Sequence, residues 1–173
     1  ESQGSGSIKR IYMCHKAAER FQSHCWSKKG IKTNRVGILF GVTGRERVEK
    51  GQLARTSLST PLKERDMCDV VRVHAVWEPE GQRAAADSHY DNSLSLTDDG
   101  DVMNVAKRLG LTPVGWIFTY DKSDRDVSSS SSVPVTGDDM ITAARLQMEN
   151  MKRFGRERGS RFVTLCMDLD SGA

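Results

Sequence analysis

The segment VGWIFTYDKSD (114–124) does most to constrain the fold. An apolar run, Val114–Phe118, holds one glycine and one tryptophan, then breaks into charged, turn-forming residues. Along a strand, successive side chains point to opposite faces, so such a run carries its last residues to the end of a sheet. The two side chains delivered there on one face are Phe118 and Tyr120. Neither ring ligates metal well, so the segment has the position of an active-site strand without its usual chemistry.

Three other segments read as strands. RVGILFG (35–41) is a glycine-flanked apolar run, CDVVRVHAVWEP (68–79) is rich in valine and ends at Pro79, and SRFVTLCMDL (160–169) follows the last helix. Three segments read as helices. In MCHKAAERFQSHCW (13–26), Ala17, Phe21 and Trp26 supply the apolar groups. In LTDDGDVMNVAKRLGL, Asp101 can cap a helix presenting Val102, Val105, Ala106 and Leu109, with Gly110 as its stop. In TGDDMITAARLQMENMKRF, Thr136 or Asp138 can be the cap, and Ile141, Ala144, Leu146, Met148 and Met151 supply the apolar groups. The order of these elements predicts an α/β fold, a mixed β-sheet flanked by helices.

Residues 1–11, which open ESQGSGS, are expected to be a disordered linker or the boundary of an expressed piece, with the folded domain over 12–173. Stretches 42–67, 80–100 and 121–134 are polar and are expected to be flexible loops; the last carries five serines, Ser128–Ser132. With 28% charged and 37% hydrophobic residues, the composition suits a globular core. No apolar run approaches a membrane span. A net charge of +3, its basic residues scattered among acids, argues against nucleic acid. Cys14, Cys25, Cys68 and Cys166 form no C-x-x-C pair and read as reduced thiols.

The chemical motifs are few. Cys14–His15 and His24–Cys25 invite a zinc site, but on one helix the two cysteines lie about 16 Å apart, beyond any single ion. His74 reads as a half-buried sheet residue, and His89 has no obvious partner. GVTGRE lacks the ending and spacing of a phosphate loop. Asp98, Asp99 and Asp101 fail the calcium-loop pattern and read as a turn and helix cap. No catalytic residue, cofactor or metal site follows from the residues alone.

RVGILFG, VHAVWEP, VAKRLGLTPVGWIFT and ITAARLQ, in that order, resemble the central domain of the nuclear protein localisation protein 4 family, ubiquitin-binding adaptors of the valosin-containing-protein unfoldase. The resemblance runs from about Tyr12 to Val163 and is poor in the three loops. It implies the MPN (JAMM-like) fold, whose active members are zinc-dependent deubiquitinases. Those members carry a glutamate before the first strand's glycine, H-x-H at the end of the G-W strand, and S-x-x-D at the next helix. Two histidines and the aspartate hold zinc, and the glutamate deprotonates its water.

Carried onto this chain, the glutamate position falls on Asn34, the histidines on Phe118 and Tyr120, the serine on Thr136 and the aspartate on Asp139. Only the aspartate is retained, and no histidine occurs after His89 in any register. The resemblance therefore implies a pseudoenzyme that needs no cofactor. It would bind polyubiquitin and serve the valosin-containing-protein ATPase together with ubiquitin fusion degradation protein 1. The expected setting is cytoplasm and nucleus, with recruitment to the endoplasmic reticulum membrane through partners and no insertion into it. Phe118 and Tyr120 are expected to pack in the core rather than present an aromatic surface to a peptide. Two other readings stand beside this one: an architectural MPN subunit that dimerises through the ITAARLQMENM helix, and a metal-dependent isopeptidase with unusual ligands.

Overall fold

A computed structural model describes residues 8–26, 34–47, 67–79, 94–96, 100–120 and 135–169. Nine elements follow in the order β1 (Ile8–Met13), α1 (His15–His24), β2 (Val36–Arg47), β3 (Met67–Trp77), α2 (Gly100–Arg108), β4 (Thr112–Tyr120), α3 (Gly137–Phe154), α4 (Arg156–Gly159) and β5 (Val163–Asp168). The strands form one mixed sheet in the order β1-β3-β2-β4-β5. β1 runs parallel to β3 and β4 parallel to β5, while β2 is antiparallel to both of its neighbours. The mixed α/β architecture expected from the sequence is present.

Helices cover both faces. On one, Phe21 of α1 and Cys25, the residue just after it, pack against Leu39, Val71, Val73 and Ile117. On the other, Ala106 of α2 and Leu146 of α3 pack with Ile38, Trp116, Phe118 and Phe162. Burying a side chain such as Phe21, 1% exposed, contributes about 1.5–3 kcal/mol. The glycine of the G-W pair is required by contact: a Cβ on Gly115 would collide with the carbonyl oxygen and side chain of Val163 on β5. Gly110 has φ of +71°, the left-handed geometry that stops α2.

Several expectations need correction. Residues 8–11 are not linker: Ile8–Met13 is an edge strand paired to Asp69–Val73. The adjacent charges of Lys9 and Arg10 break its apolar pattern and hide it, because an edge strand needs few apolar side chains. The loop expected at 42–67 is shorter at its start, since β2 continues to Arg47 along β3. Within the stretch expected as loop 80–100, Leu94 and Leu96 are 2% and 3% exposed and fill core. Glu149 accepts from Leu96 N at 2.9 Å, and Arg153 donates to Leu96 O at 2.9 Å, so α3 holds this segment. Asp101 lies inside the first turn of α2 rather than capping it. Residues 1–7, 121–134, the five serines, His89, Asp98 and Asp99 lie outside the described residues.

The helix faces also differ from the periodicity. On α3 the buried residues are Asp139, Thr142, Leu146 and Asn150, whereas Ile141 and Met148 are exposed. On α2, Ala106 is buried with Val102 and Met103 beside it, and Val105 and Leu109 are exposed. Trp26, expected on the apolar face of the first helix, is exposed at 37%, and Cys25 takes the buried position. None of the four thiols is in a disulfide.

Cys25 is fully buried, and its Sγ donates to Phe21 O at 3.3 Å. Burial first, then the charge of Glu78, pushes its thiol up from 9.0 to about 11, against a pull downward from Arg35. The folded chain therefore holds this proton more tightly than the unfolded one. The stability this confers is complete below pH 9 and is lost as pH rises from 9 to about 11, on the order of 2 kcal/mol in all. Urea midpoints measured across that window should fall, and fall less in Cys25→Ala. At pH 8, iodoacetamide should modify the exposed Cys14 and Cys166 well before the buried Cys25 and Cys68, as read by mass spectrometry.

Candidate functional site

The sheet end where β4 finishes beside the start of β2 is where the sequence places its candidate residues. Val36 pairs with Phe118, and the ladder runs one residue further: Arg35 N donates to Thr119 Oγ1 at 2.6 Å, and Thr119 N donates to Arg35 O at 2.9 Å. Asn34 thus stands just beyond the last paired residue, at the same end as Tyr120. Its side-chain oxygen is buried and accepts no hydrogen bond among the described residues.

Phe118 is fully buried and Tyr120 is 8% exposed. The Phe118 ring stacks on Trp116 at 4.9 Å between centroids with 29° between planes. Trp116 is itself fully buried, and its indole Nε1 donates to Thr164 Oγ1 at 2.9 Å. Both rings belong to the core cluster with Val36, Ile38 and Leu146. The aromatic residues at this strand end are therefore core, as the sequence reading expected, and do not form an exposed peptide-binding surface.

Thr136 and Asp139 form a reciprocal cap at the start of α3. Asp139 N donates to Thr136 Oγ1 at 3.2 Å, while Thr136 N and Thr136 Oγ1 each donate to Asp139 Oδ2 at 2.8 Å. Such a cap contributes about 1 kcal/mol and satisfies donors that a helix start leaves open. It settles the choice between Thr136 and Asp138 in favour of Thr136. Asp139 is 1% exposed. Val135, the residue before the cap, packs on the cluster that holds Phe118, which brings the start of α3 to the β4 side of the sheet.

Among the described residues, no three His, Cys, Asp or Glu side chains are grouped so as to hold a metal ion. Cys14 is exposed at the start of α1 and Cys25 is buried at its other end. His74 is exposed on β3, not half-buried. One polar cluster escaped the sequence reading. Glu78 sits at hydrogen-bond distance from His24 Nδ1, 2.6 Å, and accepts from Arg35 at 3.0 Å. Its partners lie 54 and 43 residues away, so no local pattern could have revealed it.

Residues 65–172, more than half of the chain, match the model of the NPL4 family. The chain belongs to the NPL4 family. The NPL4 match covers β3, β4, β5 and all the helices after β3, and with them Phe118, Tyr120, Thr136 and Asp139. It begins after β2, so Asn34 lies outside it. No curated protein sequence matches the chain.

Proposed function

We propose that this chain is a catalytically inactive, MPN-type domain of an adaptor that binds polyubiquitinated substrates. The adaptor delivers them to the valosin-containing-protein ATPase for unfolding and degradation by the proteasome, including degradation associated with the endoplasmic reticulum. Membership of the NPL4 family supports the adaptor role and general partnership with that ATPase and ubiquitin fusion degradation protein 1. The observation that carries the inactive reading is the strand end itself. At the two positions that the resemblance assigns to the zinc-binding histidines of the MPN hydrolases, this chain buries Phe118 and Tyr120, and a phenyl ring has no ligand atom. In this reading the adaptor works in cytoplasm and nucleus and meets the endoplasmic reticulum membrane through partners.

The test is to incubate the chain, with added zinc, with polyubiquitin of several linkages and to follow both chain length and retention on the immobilised protein. Intact, retained chains are the expected result. Cleavage abolished by a chelator would overturn the inactive reading, and intact chains that are not retained would overturn ubiquitin capture.

One observation favours a second reading, an architectural subunit that pairs with another MPN domain. Met140, Ile141 and Met148 on α3 are 65%, 64% and 56% exposed, a large apolar surface for one helix. A mass that rises with concentration in sedimentation, and returns to the monomer in Ile141→Glu, would favour this role.

A further inference from the structure

We propose that the open edge of β3 beyond Val73 binds an extended, acidic peptide segment of a partner protein by strand addition. The site lies on the α1 side of the sheet, and the proposal does not depend on the ubiquitin reading.

Among the described residues the edge is open beyond Val73, because β1 is shorter than β3. β1 follows β3 as far as Met13 beside Val73, and Cys14 N then donates to Val73 O at 2.9 Å. There the chain turns away into α1. β3 continues through His74–Trp77 with β2 along one side, and among the described residues no strand pairs with it on the other. A bulge opposite Phe40 and Gly41 places His74 as the extra residue at the point where β1 leaves. Bulges of this kind re-aim a strand where regular pairing stops.

Between this edge and α1 runs a groove of about 500 Å³. Ala17, Phe21 and Val76 contribute apolar surface to it, and Lys16, Arg20 and His74 bring basic groups. Lys16 and Arg20 are four residues apart on α1, hence neighbours one turn apart. Both are exposed, and neither takes part in an ion pair among the described residues. The one carboxylate in the lining, Glu78, is already engaged by His24 and Arg35. The groove thus offers backbone hydrogen-bonding groups along one wall and unpaired cations along the other. An added strand satisfies the first, and carboxylates on its outward-alternating side chains meet the second. A basic peptide would meet repulsion in the same place.

The probe is a fluorescein-labelled peptide of about ten residues alternating valine and glutamate, titrated with the whole chain and read by anisotropy. Two controls accompany it: the same peptide with lysine for glutamate, and the acidic peptide N-methylated at alternate residues, which cannot donate to a β-ladder. The expected result is binding of the acidic peptide that is lost on N-methylation, absent for the lysine peptide, and weakened about tenfold or more in Lys16→Glu/Arg20→Glu. Lys16→Gln/Arg20→Gln should fall between, and unchanged circular dichroism should show that both variants fold. No binding, equal binding of the lysine or N-methylated peptide, or an unchanged affinity in the charge-reversed variant would overturn the proposal. So would a single-stranded oligonucleotide that binds through Lys16 and Arg20 more tightly than the peptide. A dimer in sedimentation that the acidic peptide cannot dissociate would assign the edge to a second copy instead.

Discussion

Phe118→Ala should lower the unfolding free energy by roughly 3–5 kcal/mol, a large share of the 5–15 kcal/mol typical of a domain. The ring is fully buried and stacked 4.9 Å from Trp116 in the cluster with Ile38 and Leu146. Its removal costs the transfer free energy of the ring and leaves a cavity. Trp116 also loses an aromatic partner, a contact of about 0.5–1.5 kcal/mol in its own right. The neighbours have little room to collapse, because the indole is fixed by its bond to Thr164 and Gly115 holds β4 close to β5. Urea unfolding followed by circular dichroism measures the loss. Phe118→Leu, which keeps most of the volume, should cost far less. A loss below about 1 kcal/mol for the alanine variant would mean that the ring faces solvent or a site that closes freely, and would remove the central support for the inactive reading.

Asp69→Ala should cost roughly 3 kcal/mol, for a different reason. Asp69 is 5% exposed on β3, and Oδ1 lies 3.3 Å from Arg161 and 3.4 Å from Arg45. Arg45 comes from the adjacent β2, but Arg161 enters just before β5, at the opposite edge of the strand order. The Arg161 side chain is 16% exposed, so deletion of the carboxylate leaves a half-dry cation, the costly way to break such a pair. Arg161 retains Glu157 at 3.3 Å, which keeps the cost at the lower end of the range for buried pairs. In a double-mutant cycle, Asp69 should couple to Arg161 by more than 1 kcal/mol. It should couple to Arg45, whose side chain is 67% exposed, by a few tenths. Equal coupling to the two arginines would show that the buried pair has no special weight.

The central strands were legible because their apolar runs are dense in valine and isoleucine and are closed by glycine or proline. The cap at Thr136–Asp139 was legible because its chemistry is local, three residues apart. The face of α3 was not. Periodicity marked Ile141, Ala144, Leu146, Met148 and Met151, yet of these only Leu146 joins the stripe of Asp139, Thr142, Leu146 and Asn150 that the helix turns inward. Three of the four inward residues are polar, so hydropathy scores the buried stripe below the exposed one. Edge strand β1 was missed because the consecutive charges Lys9 and Arg10 interrupt its apolar residues, and Leu94–Leu96 because two leucines in a polar stretch are too short a signal. At the candidate site, the positions of Phe118 and Tyr120 followed from alternation along β4. The cluster around Glu78 depends on tertiary approach alone, and nothing in the linear order announces it.

Four of the five strands run the same way, with β2 alone opposed, and β1 and β5 form the two rims of the sheet. Chain entering at Ile8 and chain leaving after Asp168 therefore depart at diagonally opposite corners. Along a six-residue strand they are separated by about 20 Å, while across its width the sheet curls enough to bring Arg161, just before β5, within 3.3 Å of Asp69 beside Ile8. The component of a pull on those ends that lies along the strands loads the ladders lengthwise, in shear, so that many hydrogen bonds must fail together rather than one after another. A domain threaded in this way resists traction on its ends, a useful property in a protein whose family is tied to an unfoldase.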